Sequence, residues 1–127
     1  MNIVGARHDD AVWEGDSLDI FLTAETSGSP YYHFILNPKN VQWDAYYSTG
    51  NDMDYNPKWE SATKIGDKSW TAEIAMPWAA LKTTPQAGLK LRANICRQRS
   101  WAGETSSWWQ DVSGFMEPEN SGTWTLR

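Results

Sequence analysis

An antiparallel β-sandwich of jelly-roll type, an all-β fold, is the architecture this sequence predicts. Three observations carry it: apolar residues recur with period two in successive runs, turn residues separate those runs, and only one turn of helical pattern is present. Length sets the scale. With 127 residues the chain supports one core, burying between ~60% and ~70% of the surface its unfolded state exposes, so residues 1–127 are read as a single domain.

The first strand is read at 18–23, where Leu18, Ile20 and Leu22 fall on one face. A second aromatic and β-branched run, 32–36, ends at Asn37-Pro38-Lys39-Asn40, where proline takes the second turn position. Residues 41–45 then complete a hairpin. The run 59–65 and the run 70–76 form another pair about Gly66-Asp67-Lys68, with Trp70, Ala72, Ile74 and Met76 facing one way until Pro77 stops the strand. Trp78-Ala79-Ala80-Leu81 is the single helical turn, too short to stand without tertiary support. Next comes 89–98, with Leu91, Ala93 and Ile95 alternating against Arg92, Asn94 and Cys96, and 122–126 is the last strand. Two polar stretches, 50–58 and 99–121, exceed ordinary hairpin connections and are candidates for function.

Charge and motif content narrow the functional classes. Eleven Lys and Arg against sixteen Asp and Glu leave a net charge of -5, which repels a phosphate backbone and gains nothing from an anionic bilayer. Nucleic acid and membrane are therefore not the expected partners. No run approaches the roughly 18 consecutive apolar residues that span a bilayer, and the first eight residues lack the apolar stretch of a secretory signal, so any export signal is expected outside this sequence. The lone Cys96 excludes an internal disulfide and a thiolate zinc site, and within its alternating strand it reads as a buried small hydrophobe. Glycine-rich phosphate loops, His-Glu-x-x-His and Gly-x-Ser-x-Gly are absent, and His8 and His33 are the only histidines available to a catalytic triad. His33 reads as a hydrogen-bonded strand residue. Sixteen carboxylates place some pair at any given separation, so they carry no argument for glycoside hydrolysis.

Nine Trp against five Tyr and three Phe is the compositional feature that points to binding. Trp43, Trp70 and Trp124 lie in strand patterns and are assigned to the core or its rim. Trp13, Trp101, Trp108 and Trp109 lie at strand entries or in loops. A sugar presents an apolar face of C–H bonds and a rim of hydroxyls, so it binds where flat rings meet amide, carboxylate and guanidinium groups. Two such rings removing ~100–150 Å² of apolar surface from water contribute roughly 2.5–4 kcal/mol, which sets net affinities at about micromolar to millimolar. The acids of Asp9-Asp10, Glu14-Gly15-Asp16 and Asn51-Asp52-Met53-Asp54 read as solvated loop residues, with calcium coordination as the alternative.

The segment Trp13-Glu14-Gly15-Asp16-Ser17-Leu18-Asp19-Ile20-Phe21-Leu22 resembles the Trp-Glu-x-Asp-Ser-x-Glu-Ile-Phe segment of family 9 carbohydrate-binding modules. Agreement continues in order through 32–38, 70–78 and 92–97, and 106–122 resembles the closing segment. The resemblance covers nearly the whole chain and implies a non-catalytic β-sandwich that clasps a terminal glucose- or xylose-type unit between two aromatic side chains, contains calcium, acts outside the cell or at its surface, and serves an attached or associated glycoside hydrolase. By position it makes Trp13 one clasp and Phe115 the other, where the best-known sugar-binding members have Trp. Asp19 takes the acidic hydrogen-bonding position, one methylene shorter than the usual Glu, and Trp108 joins the ligand-binding set. Ile35 falls where the family has a basic residue. Asp9, Asp10 and Asp16 are the metal candidates. Only twelve residues precede Trp13, so the sandwich is expected to lack the family's N-terminal strands, with its exposed edge covered by further chain or by a partner. Two other roles go with the same fold: a structural or protein-interaction domain without sugar binding, and a haem-binding redox module using His8, His33 or Met as axial ligands.

Overall fold

In the computed structural model, which describes residues 1–24, 31–47, 51–52, 55–109 and 121–127, the alternation of the sequence becomes two antiparallel sheets. The strands are β1 (Ser17–Thr23), β2 (Tyr31–Leu36), β3 (Gln42–Tyr47), β4 (Asn51–Asp52), β5 (Glu60–Ile65), β6 (Trp70–Ala75), β7 (Lys90–Arg99), β8 (Glu104–Ser107) and β9 (Gly122–Thr125). Seven of them form one sheet in the order β4-β3-β2-β1-β7-β8, with β9 also paired to β7. The remaining two, β5 and β6, make a hairpin that packs on it. The pairing of β1 with β7, Asp19 opposite Cys96 and Ile20 opposite Ile95, joins segments far apart in the chain and closes the topology.

Period two decides which residues meet the hairpin. Ile20, Leu22, Tyr32, Phe34, Leu36 and Ala93 point to one side, where they pack with Trp59 and Leu81 and against the half-buried Ala72, Ile74 and Met76. Phe34 lies at the centre, fully buried, with the Trp59 ring edge-on at 5.5 Å. Toward β7 the hairpin stops short. There Leu18, Ile20, Ile95 and Trp124 border an apolar opening of about 320 Å³, and Trp124 is 38% exposed. The helical turn read from the sequence is a 3-10 turn, Trp78–Leu81, which buries Ala80 and Leu81.

Two strands are missing from the sequence reading. The stretch 99–121 contains β8, whose residues Glu104, Thr105, Ser106 and Ser107 show no apolar alternation because, among the described residues, they lie on an edge and only β7 pairs with them. A 3-10 turn, Ser100–Ala102, and Gly103 at φ +60 reverse the chain ahead of it, and the Arg99–Glu104 ion pair at 2.6 Å spans that turn. Likewise β4 lies in the stretch 50–58.

Residues 1–11 form no strand yet are hydrogen-bonded to the sheet. The Asp9 N–H donates to the Gln42 carbonyl (2.9 Å), the Asp16 N–H to the Asn2 carbonyl (2.7 Å), and the Asn37 side-chain amide to the Val4 carbonyl (2.8 Å). Gly15 permits the approach: a Cβ there would stand 2.8 Å from the Val4 nitrogen and 2.9 Å from the Asn2 oxygen, both backbone atoms that cannot swing aside. Gly15→Ala is therefore expected to destabilise the fold by about 1–3 kcal/mol, the usual cost of overpacking. A thermal melt lowered by several degrees, with the folded circular dichroism retained, is the result that checks it.

Candidate functional site

On the face of the large sheet turned away from the hairpin, an open recess of about 370 Å³ is lined by Trp13, Asp19, His33, Ile35, Trp43, Tyr47 and Gln98. Strand register assembles it. Asp19 lies opposite Ile35, Ile35 opposite Trp43, and Ser17 opposite Gln98, so side chains from β1, β2, β3 and β7 share one face. Trp13 enters from the 3-10 turn Val12–Glu14, anchored by Val12, which is buried against Ile35 and Val41. The Gln98 side-chain amide donates to the Trp13 carbonyl at 2.8 Å and fixes the turn to β7. That leaves the Trp13 indole 43% exposed, with the Trp43 ring edge-on to it at 5.4 Å and 72°. Tyr47 closes one end; burial raises the pKa of its phenol, which stays an O–H donor at neutral pH.

The floor is polar and preorganised. Asp19, 4% exposed, faces His33 Nε2 at 2.8 Å through Oδ2, and the Ser17 hydroxyl donates to its Oδ1 at 3.2 Å. An ionised carboxylate only accepts, so Nε2 carries the proton in this contact. His33 is clamped by a Phe21 ring stacked at 4.1 Å and by the edge of Trp43 at 5.2 Å. Its Nδ1 is buried with no hydrogen-bond partner among the described residues. Cys96, also on this face, is fully buried; desolvation, reinforced by Asp19 and opposed by a hydrogen bond with Ser107, pushes its thiol up to about 11. At neutral pH it is a neutral packing group, not a nucleophile.

Of the residues singled out in the sequence, Trp13 and Asp19 line the same recess. Trp108 is not among its lining residues: its ring contacts Trp109 at 5.9 Å and Trp124 at 6.1 Å and lies over Gly122. Phe115 lies outside the described residues. Ile35 is 1% exposed and supports the recess from below. Four lining residues fall outside the sugar-binding set read from the sequence. Trp43 is assigned there to the core or its rim, His33 to a hydrogen-bonded strand position or to a haem ligand, and Tyr47 and Gln98 to no role, because a strand pattern shows which residues share a face but not which face binds. The register of β2 with β3 supplies that missing relation.

The acids proposed for calcium do not converge. Asp10 Oδ2 accepts the Ala6 and Arg7 N–H groups at 2.8 and 2.9 Å, which hold its carboxyl below the usual range, and Asp16 Oδ1 accepts the Ser100 N–H at 2.9 Å. Asp9 alone of the three joins a possible ligand cluster, with His8 and Asp44. Calcium takes six to eight oxygens, and these three acids offer no common centre for it among the described residues.

Residues 2–127 match the model of the carbohydrate family 9 binding domain-like family. The chain belongs to that family. This family 9 domain is 26% identical over 117 residues to an endo-1,4-beta-xylanase A of Thermotoga maritima and 26% identical over 114 residues to that of Thermoanaerobacterium saccharolyticum. It is 25% identical over 112 residues to the exoglucanase XynX of Acetivibrio thermocellus. Each match covers 81% of this chain and 10% of the relative, so the domain spans about a tenth of the length of these enzymes. A crystal structure from Bacteroides uniformis, provisionally described as a carbohydrate-binding protein, superposes with a TM-score of 0.79 at 16% identity. It covers 99% of this chain and 67% of its own and shares the sandwich fold. Among the described residues no helix is long and apolar enough to cross a membrane.

Proposed function

We propose that the family 9 domain holds the end of an oligosaccharide or polysaccharide, a glucose- or xylose-type unit, in the recess beside Trp13. On this reading the domain is a non-catalytic module outside the cell that keeps an attached glycoside hydrolase on its polymer. The carrying observation is the pairing of an exposed indole with a buried, doubly hydrogen-bonded carboxylate in one open recess. The indole offers a flat face to the sugar's C–H bonds, while Asp19, Gln98 and Tyr47 bring the acceptors and donors that hydroxyl groups require. The xylanase and exoglucanase names of the relatives support xylan- and cellulose-type chains as the polymers.

Titration with glucose, cellobiose, xylobiose and longer xylo-oligosaccharides, followed by tryptophan fluorescence and calorimetry, tests the reading. Saturable binding at about micromolar to millimolar concentration is expected. Occupancy of a chain end predicts that affinity stops rising beyond two or three sugar units. A flat response to every sugar would remove the saccharide role and leave the fold serving protein interaction.

A further inference from the structure

On the opposite face of β3 from Trp43, a second cluster has nothing to do with the recess. We propose that His8, Asp9 and Asp44 form a binding site for a divalent first-row transition metal, with zinc the best fit, that pins residues 1–11 to β3. The His8 ring lies between two carboxylates, Nδ1 at 3.2 Å from Asp9 Oδ2 and Nε2 at 3.0 Å from Asp44 Oδ2. One ligand atom from each of the three residues falls within 4.8 Å of the others. Ligand atoms at about 2.0 Å from a tetrahedral ion stand about 3.3 Å apart; because the two ring nitrogens diverge, a single ion takes one of them, and the two carboxylates close on it from within the 4.8 Å spread.

Three features distinguish this cluster from acids meeting on a surface. Asp44 has no exposed side-chain area; its Oδ2 accepts the Trp59 indole N–H at 3.0 Å, and its Oδ1 has no hydrogen-bond partner among the described residues. A buried carboxylate oxygen without a partner is a costly arrangement that a cation relieves. Second, a neutral imidazole has one N–H and one lone pair, so with a carboxylate at each nitrogen one contact sets a lone pair against an acceptor. Third, the charges balance, since two carboxylates and a neutral ring carry -2 and a divalent ion cancels it.

The donor set selects the ion. Imidazole with two carboxylates suits zinc, cobalt or manganese, whereas calcium prefers an all-oxygen shell. Asp9 is held toward the site by its own backbone: it takes the left-handed conformation, φ +66, rare for a non-glycine residue, and its N–H is fixed on the Gln42 carbonyl. His8 and Asp9 are 39% and 49% exposed at the side chain, which leaves an entry path from solvent.

The chain, stripped with chelator and dialysed, is to be melted and titrated calorimetrically with zinc, cobalt and calcium chlorides in turn. Zinc at one hundred times its dissociation constant is expected to raise the melting temperature by about 8 °C, and calcium to leave it unchanged. His8→Ala and Asp9→Asn, both surface changes, are each expected to weaken zinc at least 100-fold while the metal-free chain still melts cooperatively. Cobalt should give a visible d–d absorption band that His8→Ala abolishes. A larger shift with calcium than with zinc, a zinc shift that survives His8→Ala, or no shift with any ion would overturn the assignment; the last would leave a protonated imidazole as the bridge.

Discussion

Trp13→Ala is expected to raise the dissociation constant for a xylo- or cello-oligosaccharide about tenfold or more while the domain stays folded. The size follows from area. One indole face removes about 50–75 Å² of apolar sugar and ring surface from water, which at ~25 cal/mol per Å² is about 1–2 kcal/mol, and 1.4 kcal/mol is a factor of ten. The fold survives because Trp13 contributes little to it. Its ring is 43% exposed and its recorded ring contact is the edge of Trp43, while the turn is held by buried Val12 and by the Gln98 bond to the Trp13 carbonyl, a backbone atom that the substitution leaves in place. Trp13→Phe sharpens the test, since a smaller flat face should recover part of the affinity. Calorimetric titration measures the loss and circular dichroism checks the fold. Unchanged affinity in Trp13→Ala would place the sugar elsewhere, and the exposed Trp101 or the Trp108–Trp124 pair would then be the surfaces to substitute.

Most of the architecture was legible because the residues that make it obey one rule. Leu18, Ile20 and Leu22 alternate with Asp19, Phe21 and Thr23, and that spacing alone separates the core face from the recess face of β1. The hairpin of β5 and β6 was equally plain, since Gly66-Asp67-Lys68 sits between two runs of matched length. What escaped was written in no local pattern. β8 is a polar edge strand specified by its partner, and Glu104 to Ser107 has no apolar residue to betray it. The recess depends on register: Trp43 reaches it because it pairs with Ile35, two residues from His33. Asp44 shows the limit best. In the sequence it is an acid beside a tryptophan, and only the folded chain reveals it as buried, bonded to Trp59 and facing His8 across 36 positions.

His33→Ala is the substitution expected to cost most stability, about 3 kcal/mol, which for a domain of this length lowers the melting temperature by about 10 °C. Two losses add. The ring leaves a cavity between Phe21, stacked at 4.1 Å, and Trp43 at 5.2 Å, and both of these neighbours are held by strands that cannot close over it. Asp19, nearly buried, loses its 2.8 Å donor and, among the described residues, keeps the Ser17 hydroxyl at 3.2 Å, so most of its desolvation goes uncompensated. His33→Phe separates the two contributions: it fills the space and keeps the stack, yet offers Asp19 no N–H. A melt lowered nearly as far by His33→Phe as by His33→Ala assigns the stability to the hydrogen bond, whereas recovery to near the parent value assigns it to packing. Pairing His33→Phe with Asp19→Asn and Asp19→Leu then tells whether the carboxylate is kept for the fold or for the ligand. If Asp19→Leu with His33→Phe restores the melt but abolishes sugar binding, the charge in the floor is maintained for recognition at the expense of stability.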